Sequence, residues 1–369
     1  MSQAMAEATT ASSCRALPDP FSRGKCRVDA AKALQEAWLA RLAFGPQRVA
    51  ARQVQLWTGI FPVNWRQLTH ASLLQAQLDT IEAHLSGSFP DLLKAMVLDP
   101  ALQISLNGPA NHRANPNENL ARELLELFSL GEGHYSEADV QEAARALTGY
   151  RLDPAGQLGL DPRRHDDGDK TILGRTARFD GASLAAWLCE QPATALHITT
   201  RLWRQRIGQL PKPGRLAAIA AAWRQAKLSM AWLENTLATS PEAQASRGRR
   251  LDDPALMFAR SLALLGSRHG DALRIGRSQL AAMGQPLFEP PSVKGWPTNE
   301  EWLNLRWLQA RRRGLQALLA DEEVWAARQL PAELPAALTP IPPLTLGLPA
   351  AAHRDSLGLL FADPVWQLA

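Results

Sequence analysis

Two stretches of the chain place ionisable side chains at spacings that could do chemistry. Along 115–131, Glu118, Arg122 and Glu126 recur at four-residue steps, with Asn117, Asn119 and Glu123 beside them. On a helix this is one polar stripe. It reads either as a solvated face of intrahelical ion pairs, each worth about 0.2–0.5 kcal/mol, or as a face turned to a cleft where Glu123 serves as base or metal ligand. Between positions 161 and 170 stand Asp161, His165, Asp166, Asp167, Asp169 and Lys170. Imidazole with carboxylates suits a divalent metal or a phosphoryl-type transfer. The glycine and the distal glutamate fall in the wrong places for an EF-hand, and no second His follows at ligand spacing. A solvated turn is therefore the competing reading.

If the loop folds back onto the stripe, Glu118, Glu123, Asp166 and Asp167 repel unless a cation stands between them. Arg122 and Lys170 can supply that charge without a metal. The expectation is thus pairing of Arg122 or Glu123 with the segment 165–170. Glu123, His165 and Asp166 are the candidate catalytic groups. Asn117, Glu118, Asn119, Arg122, Lys170 and Trp296 are candidate binding residues. No metal ligands and no cofactor are assigned, a divalent metal being the alternative.

Other chemistry-bearing residues are dispersed. His70 and His84 lie too far apart on one helix to share a small ion, and His112 and His134 bracket the polar stripe. Twelve Trp stand against two Tyr; Trp232 follows core spacing, whereas Trp296 and Trp302 sit in or beside a Pro-rich loop where rings can form a platform. No glycine-rich nucleotide loop and no GxSxG elbow is present. Three cysteines cannot build a disulfide framework or a four-ligand zinc site. Cys14 and Cys26 could pair in an exported protein, but the expectation is three reduced thiols, with Cys189 a small buried hydrophobe.

The elements that must position these groups are helices. Asn115 as cap, Pro116 at the first helical position, and Leu120, Leu124, Leu127 and Phe128 on one face predict a helix over 115–131 closed by Gly131. Ser136 and Asp139 repeat the capping arrangement for a partner helix ending at Gly149, which makes an antiparallel hairpin over 115–149. Leu124 belongs to its buried face and Glu126 to its wet face. From 150 to 181 the helical period vanishes, leaving a polar loop with at most a two-stranded ribbon. Helical spacing resumes from 183 to 283 and again over 299–320, then gives way to a Pro-rich segment at 331–349 and a last apolar helix. The resulting organisation is an irregular leader over 1–28 and one all-α domain over 29–369.

Composition bounds the rest. The 369 residues are 46% hydrophobic and 21% charged, the balance of a folded globule. Forty basic against 36 acidic residues give +4, too little to argue for nucleic acid. Seven of the forty are Lys, leaving 33 Arg. No apolar run approaches the roughly 20 residues of a membrane span. The first residues lack a basic start and an apolar core, so the sequence reads as cytoplasmic, with co-export alongside a partner as the alternative.

These motifs together resemble the bacterial "domain of unknown function 1800" family. NPNENLARELLELFSLGEGHYSEADVQEAARALTGY, from Asn115, is similar to its signature, and RHDDGDKTILG, from Arg164, to its His-Asp loop. LENTLATSPEAQ, GQPLFEPPSVKGWPTNEEWL with its Gly-Trp-Pro, and the closing LLFADPVWQLA match later segments. Two departures mark a shortened, divergent member: Ile60 stands where members often carry a His, and much of the N-terminal helical region is missing. The resemblance implies no established reaction. It implies a neighbour-encoded partner of the "domain of unknown function 1501" family, resembling exported phosphatases or sulfatases. Two functions follow as expectations: an enzyme or former enzyme with its polar site between 115–131 and 161–170, or a helical binding or escort protein.

Overall fold

Helices with caps and apolar stripes account for nearly all of the regular structure. In the computed structural model, the described residues are 14, 17–153, 156–212, 214–330, 339–344 and 353–369. Helix α1 (Pro20–Ala43) starts well before position 29, because Asp19 accepts from the Ser22 amide at 2.8 Å and Pro20 occupies the first turn. Its buried face, Leu34, Trp38, Leu39 and Leu42, packs against α2 (Arg48–Ile60), and the Trp38 indole N–H donates to Gln55 at 2.7 Å. Then come α3 (Ala71–His84), α4 (Phe89–Val97) and α5 (Pro100–Ser105). The earliest residues, apart from Cys14, and most of the Pro-rich segment 331–349 lie outside the described residues.

The hairpin forms from α6 (Asn119–Glu126) and α7 (Glu137–Ala146). Its second helix carries the expected capping box, Ser136 with Asp139. The first helix is shorter than 115–131, and Asn115 does not cap it. Buried Asn111 donates to the Ala144 carbonyl (2.9 Å) and accepts from the Asn117 amide (2.8 Å), which closes a loop around the His112–Asn115 turn and delays the helix until Asn117 receives the Asn119 amide at 3.0 Å. At the other end the turn widens. Phe128 N–H bonds to Glu123 O at 3.1 Å and Leu130 N–H to Leu125 O at 2.9 Å, with the Ser129 hydroxyl on Leu124 O.

Two antiparallel ribbons follow instead of a single one. β1 (Tyr150–Leu152) pairs with β2 (Leu158–Leu160), placing Tyr150 opposite Leu160, and β3 (Lys170–Ile172) pairs with β4 (Arg175–Ala177), placing Lys170 opposite Ala177. The remainder is helical: α8 (Gly181–Glu190), α9 (Pro192–Arg206), α10 (Arg215–Gln225), α11 (Met230–Ala238), α12 (Pro241–Ala245), α13 (Pro254–Leu265) and α14 (Gly270–Ala282). The stretch expected as one helix over 299–320 divides into a 3₁₀ turn, Asn299–Trp302, and α15 (Leu305–Ala320), because Asn304 caps a new start by accepting from Arg306 N–H at 3.0 Å. Short α16 (Glu322–Ala326) and α17 (Arg354–Ala362) complete the chain. The fold is all-α with small β ribbons. One hydrophobic cluster runs from Ala31 to Trp366.

Cys14 and Cys26 form a disulfide with Cα atoms 5.6 Å apart, contrary to the expectation of three free thiols; α1 brings Cys26 to the segment carrying Cys14. Cys189 is free and buried. No helix among the described residues is long and apolar enough to cross a membrane.

Leu124 is fully buried in the hairpin. Leu124→Ala should cost about 2–5 kcal/mol in a denaturant titration, the range for large-to-small core changes. A loss below about 1 kcal/mol would show that the hairpin face is not packed as described.

Candidate functional site

The polar stripe of α6 is largely consumed at the protein surface. Arg122 makes a bidentate contact to Glu137 (2.8 Å to each oxygen) and reaches Glu118 at 3.0 Å, so its charge is shared within the hairpin. Its partners hold the Arg122 pKa above the usual range, and Arg122 lowers that of Glu137. Exposed pairs of this kind contribute about 0–1 kcal/mol. Asn119 binds Leu106 O through its side chain (3.2 Å), and Asn117 serves as the turn acceptor already described. Both asparagines therefore build the entry to the helix.

Glu123 and Glu126 face a different neighbour. Glu126 is not on a wet face: it accepts from the Tyr135 hydroxyl at 3.2 Å and lies 4.0 Å from Lys294 of the Pro-rich loop. Burial, then Glu126, raises the Glu123 pKa, opposed by Lys294 and Arg122. Burial and Glu126 push the Tyr135 hydroxyl up to about 12.

The loop 161–170 is clamped onto α7. Arg145 grips Asp166 through Nε (2.7 Å) and Nη2 (3.2 Å), Glu142 through Nη1 (2.8 and 2.9 Å), and Asp169 O at 3.2 Å. His165 Nδ1 faces Thr148 O at 2.9 Å and so carries its proton there. The Thr148 hydroxyl accepts from the Asp166 amide at 2.8 Å. Lys170 is 1% exposed and donates to Asp166 O (2.5 Å) and Gly168 O (2.9 Å); burial lowers its pKa. Gly149 is required at this junction: at φ +85°, an added Cβ would stand 2.7 Å from His165 N. The acidic residues of α7 hold the second ribbon as well, Glu142 accepting from Thr171 N–H (3.0 Å) and Asp139 from Leu173 N–H (2.7 Å).

Among the described residues, no hydrogen bond or ion pair joins Arg122 or Glu123 to the segment 165–170. The expected network between stripe and loop is replaced by Arg145, which lies on the other helix of the hairpin and reaches the loop's carboxylate first. Nor do three or more His, Cys, Asp or Glu side chains gather as a metal-ligand group among the described residues.

The open cleft lies elsewhere, beside the Gly-Trp-Pro loop. A cavity of about 270 Å³ is lined by Arg52, Arg206, Arg250, Arg260, Asp252 and Trp296, among others. A second, of about 910 Å³, shares Gln205, Trp296, Pro297, Thr298 and Asn299 with it and extends to Arg201, Arg204 and Leu210. A third, of about 570 Å³, continues past Asn299 to Leu210 and Leu303. Asn299 sits where all three meet; its side chain accepts from Leu251 N–H at 3.1 Å, fixing the loop to the segment that carries Asp252. Gly295 lets the loop lie against α2, since a Cβ there would be 2.4 Å from Gly59 O.

Half-buried Arg201 fastens this arrangement. It donates to Gly59 O (3.0 Å), Ile60 O (3.5 Å), Leu127 O (2.8 Å) and Lys294 O (3.1 Å), and burial pushes its pKa down to about 10. His197 Nε2 also reaches Leu127 O at 3.1 Å, and burial lowers its pKa to about 4. Of the candidate catalytic and binding residues, Trp296 borders the cleft, and the other ring noted beside the Pro-rich loop, Trp302, lines its first cavity. The arginines were missed because they come from separate segments. Asp252-Asp253-Pro254 was the local signal, a helix start carrying one carboxylate more than capping needs.

An all-α protein with a polar cleft beside a Gly-Trp-Pro loop and a capped helix hairpin is the class that these features define. The chain matches the family described as "Protein of unknown function (DUF1800)" over residues 2–367 and belongs to it. No curated protein and no solved structure matches the chain.

Arg145 and Asp166 are partly buried, with side chains 29% and 20% exposed. Arg145→Met should cost about 1.5–3 kcal/mol near neutral pH, the range for charge-assisted hydrogen bonds. Arg145 holds the Asp166 carboxyl below its ordinary 3.8. A depressed carboxylate contributes stability above its unfolded pKa and loses it as pH falls through the folded value. The difference between wild type and variant should therefore shrink below about pH 4. A difference independent of pH from 7 to 2 would show that the pair is not what stabilises the loop.

Proposed function

We propose that the protein is a helical binding or escort protein whose partner docks along the cleft beside the Gly-Trp-Pro loop. The observation that carries this reading is the distribution of satisfied and open groups. His165, Asp166 and Lys170 are engaged in holding the loop to α7, whereas the cleft is open and rimmed by exposed apolar side chains. Leu210 is 46% exposed and Leu303 64% exposed, and neighbouring Leu305 is 72% exposed. Exposed leucines beside a concave surface are a feature of interaction sites. The family resemblance supplies the partner, a neighbour-encoded protein of the domain of unknown function 1501 family. The Cys14–Cys26 disulfide supports an oxidising compartment, and so the export of both proteins.

A second reading keeps an enzyme, with Glu123 as base and His165 and Asp166 contributing charge. Its support is Glu123, whose pKa burial raises above the ordinary carboxylate value, the direction that strengthens a base. Metal analysis bears on it: a stoichiometric divalent ion removed by Asp166→Asn would favour the enzyme.

Co-expression of the tagged full chain with the neighbour-encoded protein tests the docking reading. The expected result is a stoichiometric complex that Leu210→Asp with Leu303→Asp abolishes while the melting temperature of the free chain changes by less than about 2 °C, since surface changes are near neutral. Absence of a complex, or a complex indifferent to both substitutions, would overturn it.

A further inference from the structure

The deep end of the cleft has chemistry of its own. Arg52, Arg206, Arg250 and Arg260 converge on the 270 Å³ cavity from four different segments. Their neighbours do not use them up. Arg206 pairs with Glu234. Arg250 donates to Gln205 O at 3.3 Å, and Arg260 to Leu368 O at 3.0 Å and Trp366 O at 2.5 Å while lying over the Trp366 ring. Asp252, the nearest carboxylate, lies 3.6 Å from Arg250 and 3.9 Å from Arg260, beyond hydrogen-bond length. Its Oδ1 accepts no hydrogen bond among the described residues, and neither Arg206 Nε nor Arg260 Nε finds an acceptor. Exposed Arg52 makes no ion pair among them. Each guanidinium has five N–H donors, so Arg52 and Arg250 keep donors available to the cavity.

The charges do not balance either. Four guanidinium groups, with Arg311 behind them, face Asp252 and Asp253; Glu234 is already held by Arg206, and the last residue, Ala369, also lines the cavity. Burial, then Asp252, raises the Asp253 pKa and so weakens its contribution. Burial lowers the pKa of Arg206 and Arg260. Arg250 opposes the charge on Arg206, and Arg52 and Arg250 oppose that on Arg260, against the pull of Glu234 and Asp252. Such a group of like charges relaxes when an anion enters it. Planar guanidinium forks match the oxygens of phosphate and carboxylate geometrically.

We propose that this cavity is a binding site for a small doubly charged oxyanion, with Arg52 and Arg250 as its accessible donors and Arg206 and Arg260 setting the field. The volume admits a compact ligand, close to the lower end of about 300–1,000 Å³ for small-molecule sites. A phosphate monoester and a dicarboxylate share this chemistry. The proposal does not depend on the partner reading, because it concerns the free chain.

The experiment uses the purified full chain with inorganic phosphate and succinate as separate probes, followed by calorimetric titration and thermal melting, with NaCl at equal ionic strength as reference. At least one probe should bind saturably and raise the melting temperature beyond the salt reference. Phosphate alone would identify the phosphate-ester class, succinate alone the dicarboxylate class, and both a general oxyanion site. Arg52→Gln and Arg250→Gln should each weaken binding about tenfold, the loss of one charge-assisted contact. Arg52→Gln should leave the unliganded melting temperature unchanged or higher, since it removes a repelling charge, whereas a purely structural arginine would lower it. Melting shifts no larger than those in NaCl, or variants that retain wild-type affinity, would overturn the proposal.

Discussion

A guanidinium withdrawn from part of its water must be satisfied by whatever surrounds it, and the half-buried one at Arg201 draws three segments of this structure together. Its acceptors are main-chain carbonyls from the end of α2, from the widened turn after α6, and from the Pro-rich loop. No carboxylate is among its hydrogen-bond partners, so the compensation comes from carbonyl dipoles, two sets of them at helix C-terminal ends where the macrodipole is negative. Withdrawing any of the three segments would take an acceptor from a partly desolvated charge, a larger penalty than the loss of an exposed surface pair. The Gly-Trp-Pro loop, itself without regular structure, is thereby tied to α2 and to the turn after α6.

The hairpin shows the same logic with a charged partner. Arg145 of α7 gathers Glu142, Asp166 and a loop carbonyl, and Lys170 closes the loop from within by donating to its own carbonyls. The acidic and basic residues of this signature thus convert an irregular segment into a fixed wall of the fold. Arg122, one helix away, bridges the two helices of the hairpin on the side exposed to solvent.

The all-α class was legible because apolar spacing and capping residues agree along most of the chain. Ser136 with Asp139, and Leu120, Leu124 and Phe128, behave as their positions imply. What escaped was decided by side chains that act at a distance. Nothing local in Asn115 and Pro116 shows that Asn111 will close a loop around them by taking the Asn117 amide. Arg122 and Arg145 each have acidic residues one turn away, and periodicity cannot tell which of them will meet Asp166. Resemblance placed emphasis on the two segments most distinctive of the family, whereas the cleft is assembled from single arginines whose neighbours in sequence are unremarkable. Trp296 was the exception, since an aromatic ring in a Pro-rich loop is unusual enough to stand out by itself.

The close approach of Gly295 to the backbone of α2 has a kinetic consequence. Because the loop lies backbone against backbone and is further held through Asn299, the wall of the cleft loses its freedom when the protein folds, not when something enters. Association with a surface already in its final shape does not wait on a rare conformer, so encounter is governed by diffusion and orientation and residence time by the contacts made. A side chain at position 295 would push the loop off α2 and leave that wall of the cleft without its preformed shape.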